Sequence, residues 1–179
     1  MTAQQRAARV QLMLFDIDGV LTDGRLYFDA QGEAQKVFHV HDGHGLKLLR
    51  EAGIMTGVVS GRQSAPAQAR LRELRLDLVH LGVADKLRLL QEIAAQTRLP
   101  YEHIGFMGDD WVDLAVMQRV GFAATVANAA TGMCAVAHWQ SAKSGGQGAV
   151  REAVEFILEA RGQREAMYQH HLNGGVAQG

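Results

Sequence analysis

Residues 12–24 read LMLFDIDGVLTDG. Four apolar residues run straight into two acids, Asp16 and Asp18, and Gly19 follows at once. A short apolar run closed by turn residues has the character of a buried strand. An unpaired ion in an apolar interior is strongly disfavoured, so two carboxylates at the end of such a strand require an opposing charge. What the chain offers against Asp16 and Asp18 decides both its fold and its chemistry.

Outward from this strand, residues 25–40 form a candidate hairpin, with arms at 25–28 and 36–40 around a DAQG turn at 29–32. Asp42 reads as the cap of a helix through Leu46, Leu48 and Leu49 that stops at Gly53. Strand and helix patterns then alternate, with strands at 54–60, 78–82, 104–108 and 122–127. The helices between them fall at 64–76, 86–97, 113–120 and 148–160. Such repeated units predict an α/β fold whose parallel sheet is covered on both faces. Residues 1–161 are expected to form one domain, and 162–179, where periodicity is lost, a flexible tail.

Composition narrows the partners. With 179 residues, 47% apolar and 21% charged, the chain suits a single globular core. The formal net charge is −1 with no basic block, which predicts neither nucleic-acid nor anionic-membrane binding. Residues 1–11 are polar and the first apolar run is cut by Asp16, so neither a signal peptide nor a spanning helix is expected. The single cysteine, Cys134, suits a reducing cytoplasm and is expected to be a small buried apolar residue.

Ligands of an open parallel sheet bind at the carboxyl ends of its strands. Four polar clusters fall there: Asp16 with Asp18; Ser60-Gly61-Arg62; Asp85-Lys86; and Gly108-Asp109-Asp110, with Asp113 one turn on. Singly, each has an ordinary structural reading. Asp-x-Asp can be a turn, Ser60 with Gln63 a capping box, and Asp109 and Asp110 helix caps. A calcium loop of the helix–loop–helix type is excluded, because its fifth position from Asp16 is Val20. Lys86 is less easily explained, since a lysine in the first turn of a helix opposes the helix dipole unless an anion lies nearby. Four such accidents on one sheet edge amount to a site.

The set has a chemical logic. Asp16, Asp18 and Asp109 are oxygen ligands suited to a hard octahedral cation, with magnesium preferred. That cation would offset the carboxylates and mask the charge of a phosphate ester. One aspartate can then attack phosphorus, and Asp18 can serve the leaving oxygen as acid and the attacking water as base. Ser60 and the Gly61 N–H would hold phosphoryl oxygens, and Lys86 would balance the charge that develops on them.

DIDGVLTDG, VVSGR, the lysine of ADKL and GDDWVD, in that order, resemble the four motifs of the haloacid dehalogenase superfamily of phosphatases. The resemblance implies a Rossmann-like three-layer α/β/α fold, a magnesium cofactor, Asp16 as nucleophile and Asp18 as acid and base. It implies metal binding by Asp16, Asp109 and the Asp18 carbonyl, with Asp110 and Asp113 orienting metal waters and Lys86. Only a hairpin and one helix separate Asp18 from Ser60, so the chain is similar to the capless members. GRLYFDAQGE, FHVHDGHG and GGQGAVREAVEFIL narrow the similarity to phosphatases of 3-deoxy-D-manno-octulosonate 8-phosphate in lipopolysaccharide synthesis.

That family forms homotetramers whose hairpins meet and whose neighbouring subunit completes the site. It also implies substrate contacts at Asp42 and Gly43, beside a His41 that stands where arginine is usual. Relatives acting on nine-carbon ulosonate 9-phosphates tend to carry Glu where Arg62 stands. Arginine there suits a carboxylate or phosphate by bidentate pairing. His39 and His41 share a strand face but lack the further soft ligand a zinc site needs. A phospho-accepting receiver domain, with its own acidic, lysine-containing rim, is the alternative from another class. Asp18 argues against it by permitting turnover.

Overall fold

The computed structural model describes residues 1–175. A short helix, α1 (Ala3–Ala7), leads into β1 (Leu12–Phe15), followed by a hairpin of β2 (Tyr27–Asp29) and β3 (Gly32–Gln35). Next come α2 (Val40–Glu51), β4 (Met55–Ser60), α3 (Ala65–Leu74), β5 (Leu78–Leu81) and α4 (Lys86–Thr97). The second half comprises β6 (Ile104–Met107), α5 (Leu114–Met117), β7 (Phe122–Thr125), α6 (Met133–Val136), β8 (Trp139–Gln140), α7 (Ala149–Ala160) and α8 (Arg164–Leu172). Six strands make one sheet in the order β5-β4-β1-β6-β7-β8, and every pairing is parallel.

The alternation of side chains along a strand builds the layers. Met13 and Phe15 point into a core shared with α1, α2, α3 and α7, while Leu12 and Leu14 point into one shared with α4, α5 and α6. All four are buried, which is why β1 reads as an uninterrupted apolar run. Strand order reverses around β1: the chain builds outward through β4 and β5, then returns to β6 on the other side. Such a switch point opens a crevice at the carboxyl ends of the strands. The Rossmann-like three-layer α/β/α fold with a hairpin after the first strand is therefore as expected.

Several expectations need correction. The hairpin's second arm is β3, ahead of Lys36, and the stretch assigned to it at 36–39 belongs to neither strand nor helix. The cap of α2 is His39, whose Nδ1 accepts the His41 N–H at 3.3 Å. Asp42 lies buried one turn on and caps a different helix, accepting the N–H groups of Gly148 at 3.2 Å and Arg151 at 2.8 Å. Burial pushes its carboxyl above the usual range, against the pull of those donors. Gly43 faces α3, where a Cβ would press on the Arg70 guanidinium and Leu74. Asp42 and Gly43 thus join α2 to α7 and α3, and His41 is exposed.

The expected tail is helical over Arg164–Leu172, with Met167 against the core and His171 Nε2 at 3.2 Å from Glu51. One apolar anchor in nine residues leaves no periodicity to detect. Residues 176–179 lie outside the described residues. Cys134 is exposed, not buried. Among the described residues no helix is long and apolar enough to cross a membrane.

Asp42→Ala removes one acceptor from two buried N–H groups. It is expected to lower unfolding free energy by about 2 kcal/mol in urea denaturation. Asp42→Asn should keep part of that stability. A loss under about 0.5 kcal/mol would refute the capping role of Asp42.

Candidate active site

The crevice is built around one tight turn. Asp16 continues β1, donating its N–H to the Met107 carbonyl at 3.0 Å, and the Phe15–Met107 register carries it alongside Gly108 and Asp109. Gly19 then takes a φ of +91°, which L side chains avoid, and a Cβ there would collide with the Asp109 carboxylate. Thr22 ties the turn down, its hydroxyl accepting from the N–H groups of Gly19 at 3.4 Å and Gly24 at 3.3 Å. From behind, Gly146 donates to the Val20 carbonyl at 3.0 Å, and a Cβ on Gly145 would strike the Gly19 carbonyl. The glycines before α7 are therefore the backing of the Asp16–Asp18 turn, a role that sequence alone did not reveal.

Lys86 answers the opening question first. Its Nζ lies 3.0 Å from Asp16 Oδ1 and 2.7 Å from Asp113 Oδ1, and all three side chains are buried. Burial acts to lower the Lys86 pKa, but the two carboxylates outweigh it and keep the ammonium charged. Lys86 opens α4, whose cap is Asp85, accepting the Arg88 N–H at 2.9 Å. The cost of a cation at that helix end is met by the acids it faces.

One ammonium does not balance three aspartates. One carboxylate oxygen each from Asp16, Asp109 and Asp113 lies within 4.8 Å of the others. Burial, then the charge of Asp113, pushes Asp16 up to about 6, against the pull of Lys86. Burial and the charges of Asp16, Asp113 and Asp110 push Asp109 up to about 7. Asp113 is fully engaged, with Oδ1 on Lys86 and Oδ2 on the Asp109 N–H at 3.2 Å. Asp109 Oδ1 is buried without a hydrogen-bond partner. A hard divalent cation beside Asp16 and Asp109 satisfies that oxygen and removes the repulsion, so the donor set fits magnesium. Asp113 holds Lys86 and the Asp109 N–H, and Asp110 is exposed and accepts the Trp111 N–H at 2.7 Å.

Ser60 ends β4 buried, and its Oγ accepts the Arg62 N–H at 3.3 Å. The capping-box reading of Ser60 with Gln63 is corrected: Ser64 caps α3, accepting the Ala67 N–H at 3.2 Å. Gln63 instead donates to the Leu81 carbonyl at 3.0 Å. Ser60 and Gly61 thus sit in a turn ahead of the helix, not at its N-terminus.

The carboxylate of Asp18 points away from the acid cluster, toward the hairpin. Its Oδ1 is in contact with Lys36 Nζ, and its Oδ2 lies 3.8 Å from Arg62 Nε. Lys36 also reaches Glu33 Oε1 at 2.9 Å, and Arg62 Nη2 lies 3.7 Å from that same oxygen. Glu33 and Lys36 were absent from the expected site. No local pattern distinguishes them from exposed hairpin charges, and only the fold-back of β3 brings them to Asp18.

No family model matches the chain. It is 38% identical over 160 residues to the 3-deoxy-D-manno-octulosonate 8-phosphate phosphatase of Haemophilus influenzae, covering 89% of each chain. To the Yersinia pestis enzyme of the same name it is 36% identical over 161 residues, covering 90% of this chain and 86% of that one. The crystal structure of that phosphatase from Moraxella catarrhalis, in complex with magnesium ion, phosphate ion and the sugar acid KDO, superposes with a TM-score of 0.91 at 34% identity. The superposition covers 94% of this chain and 97% of the other. With the acids, lysine and serine of the four motifs gathered at one switch point, the chain belongs to the 3-deoxy-D-manno-octulosonate 8-phosphate phosphatase family of the haloacid dehalogenase superfamily.

Proposed function

We propose that this chain is a magnesium-dependent phosphatase that hydrolyses 3-deoxy-D-manno-octulosonate 8-phosphate to the free sugar acid and inorganic phosphate. The observation that carries the reading is Asp16, buried and held at 3.0 Å by Lys86, whose ammonium form its two acid neighbours stabilise, with a second carboxylate two residues on. The second carboxylate, Asp18, is what a stored-phosphate receiver lacks, and family membership sets that alternative aside. Arg62 at the rim favours the eight-carbon over the nine-carbon ester.

The chemistry is two displacements at phosphorus. A carboxylate oxygen of Asp16 forms a bond to phosphorus while the bond to the sugar's C8 oxygen breaks, and Asp18 gives that departing oxygen a proton. Water then adds to the aspartyl-phosphate and passes a proton to Asp18, and phosphate leaves as Asp16 is regenerated. Ser60 and the Gly61 N–H hold the phosphoryl oxygens, and Lys86 neutralises charge on them while fixing Asp16. Magnesium, held by Asp16, Asp109 and the Asp18 carbonyl, offsets the acids and the charge of the ester when bound.

The hairpin supports assembly. Leu26, Phe28, Val37 and Val40, on the hairpin and the segments flanking it, are 44%, 61%, 50% and 69% exposed, and a two-stranded ribbon is poorly stable alone. We place the chain in the cytoplasm as a homotetramer in which these ribbons meet and a neighbour completes each site, on the route to lipopolysaccharide.

A panel of eight- and nine-carbon ulosonate phosphates tests the substrate: the eight-carbon ester should give the highest kcat/KM, and equal or reversed preference would refute the choice. Asp16→Asn should remove phosphate release while leaving the circular dichroism spectrum unchanged; retained turnover would refute Asp16 as nucleophile. Asp109 holds its proton to about 7 in the fold against 3.8 otherwise. Between those values the folded chain binds more protons than the unfolded one, so stability falls as pH rises and stays lost above 7. Asp109→Asn should therefore raise Tm at pH 8 without divalent cation by roughly 2–8 °C and abolish the stabilisation by magnesium. An unchanged Tm with magnesium stabilisation intact would count against Asp109 as a ligand. Phe28→Glu with Val40→Asp should shift the mass from light scattering below that of four chains, and an unaltered tetramer would exclude the hairpin from the interface.

A further inference from the structure

Asp18, Glu33, Lys36 and Arg62 close a ring of two acids and two bases that joins the turn after β1, the hairpin and the turn after β4. Charge balances within the ring, but hydrogen bonding does not. Glu33 Oε1 is charge-paired to Lys36 and the Ser64 hydroxyl lies beside the same carboxylate, but Glu33 Oε2, Oδ2 of Asp18 and Nε of Arg62 are buried without a well-aligned hydrogen bond. The Glu33 side chain is only 9% exposed and that of Lys36 only 1%. Groups so placed are costly unless something pairs with them. These are two acceptors and one donor, a pattern that a vicinal diol matches, since each hydroxyl both donates and accepts. Glu33 is joined through Lys36 to Asp18, the group that protonates the leaving oxygen, so a diol here belongs to the leaving group and lies close to its phosphorylated end.

We propose that Glu33 is a specificity residue whose carboxylate accepts hydroxyls of the leaving polyol chain, with Lys36 holding it beside Asp18 and Arg62 donating to the same hydroxyls. This rests on the phosphatase reading above and adds the group that reads the sugar chain. The hairpin acts within its own subunit as one wall of the leaving-group pocket. A leaving group without hydroxyls strands the Glu33 oxygens in the pocket, and a site built for hydroxyls rejects such analogues strongly.

The test compares hydroxylated and bare esters in wild type, Glu33→Ala and Glu33→Gln, using the full-length protein with magnesium. The substrates are 3-deoxy-D-manno-octulosonate 8-phosphate, a hexitol 6-phosphate, n-hexyl phosphate and p-nitrophenyl phosphate. Glu33→Ala should cut kcat/KM for the octulosonate ester by about tenfold or more while changing the aryl ester by less than about twofold. The hexitol-to-hexyl preference of wild type should collapse toward unity in the variant. Glu33→Gln, which keeps shape and one acceptor, should lie between the two and covers a folding failure of the alanine variant. Equal losses on the hexitol and hexyl esters with the aryl ester spared would overturn the proposal, because Glu33 would then act only through Asp18, whose proton the aryl leaving group hardly needs; so would equal losses on all four, or no loss on any. Should wild type hydrolyse the aryl ester but not the octulosonate ester, the substrate reading fails. The hexitol-to-hexyl ratio then decides the role of Glu33 independently.

Discussion

The structure depends on the ion pairs of Lys86. A lysine buried at the start of a helix, against the positive end of the dipole, is stable only because Asp16 and Asp113 lie 3.0 Å and 2.7 Å away. Those two acids come from different strand ends, so the ammonium ties the turn after β1 to the loop after β6 across the switch point. The same contacts keep Asp16 oriented and Asp113 occupied. With Asp113 occupied on both oxygens, Asp16 and Asp109 are left facing each other with excess negative charge. The demand for a cation follows from that imbalance, and burial is what makes it large.

Close backbone contacts hold this arrangement. Gly19 lets the chain turn sharply as it leaves β1, and Asp109 occupies the space that a side chain there would need. Gly145 and Gly146 press on the same turn from the far side, immediately before α7. Helix α7 is itself anchored by Asp42, whose two hydrogen bonds fix its first turn to α2. Asp42 thus supports the turn after β1 through a chain of helix cap, glycine loop and turn.

The hairpin adds what a bare switch-point crevice lacks. The acid cluster can hold a phosphoryl group, but nothing in it reads the rest of an ester. Glu33 and Lys36 bring charge to the side toward which the Asp18 carboxylate points, and Arg62, with its guanidinium carbon 5.8 Å from the centre of the Phe28 ring, closes that side. One short insertion thereby carries exposed apolar side chains and a largely buried ring of charge.

The central sheet, its parallel direction and the rim of Asp16, Ser60, Lys86 and Asp109 were legible from sequence alone, because each depends on local pattern. Apolar runs of strand length mark buried strands, and the first residues after them must fall at the carboxyl edge of a parallel sheet. The helix Lys86–Thr97 was legible to the residue, since Asp85 caps it locally. Tertiary structure alone decided the partners of side chains distant in sequence: Asp42 with Gly148 and Arg151, Asp18 with Lys36, the glycines 145–146 with the turn at Gly19, and Met167 with the core. Such pairings leave no periodicity and no short-range spacing, because they are set by how completed elements dock and not by the conformational preferences of the residues that make them.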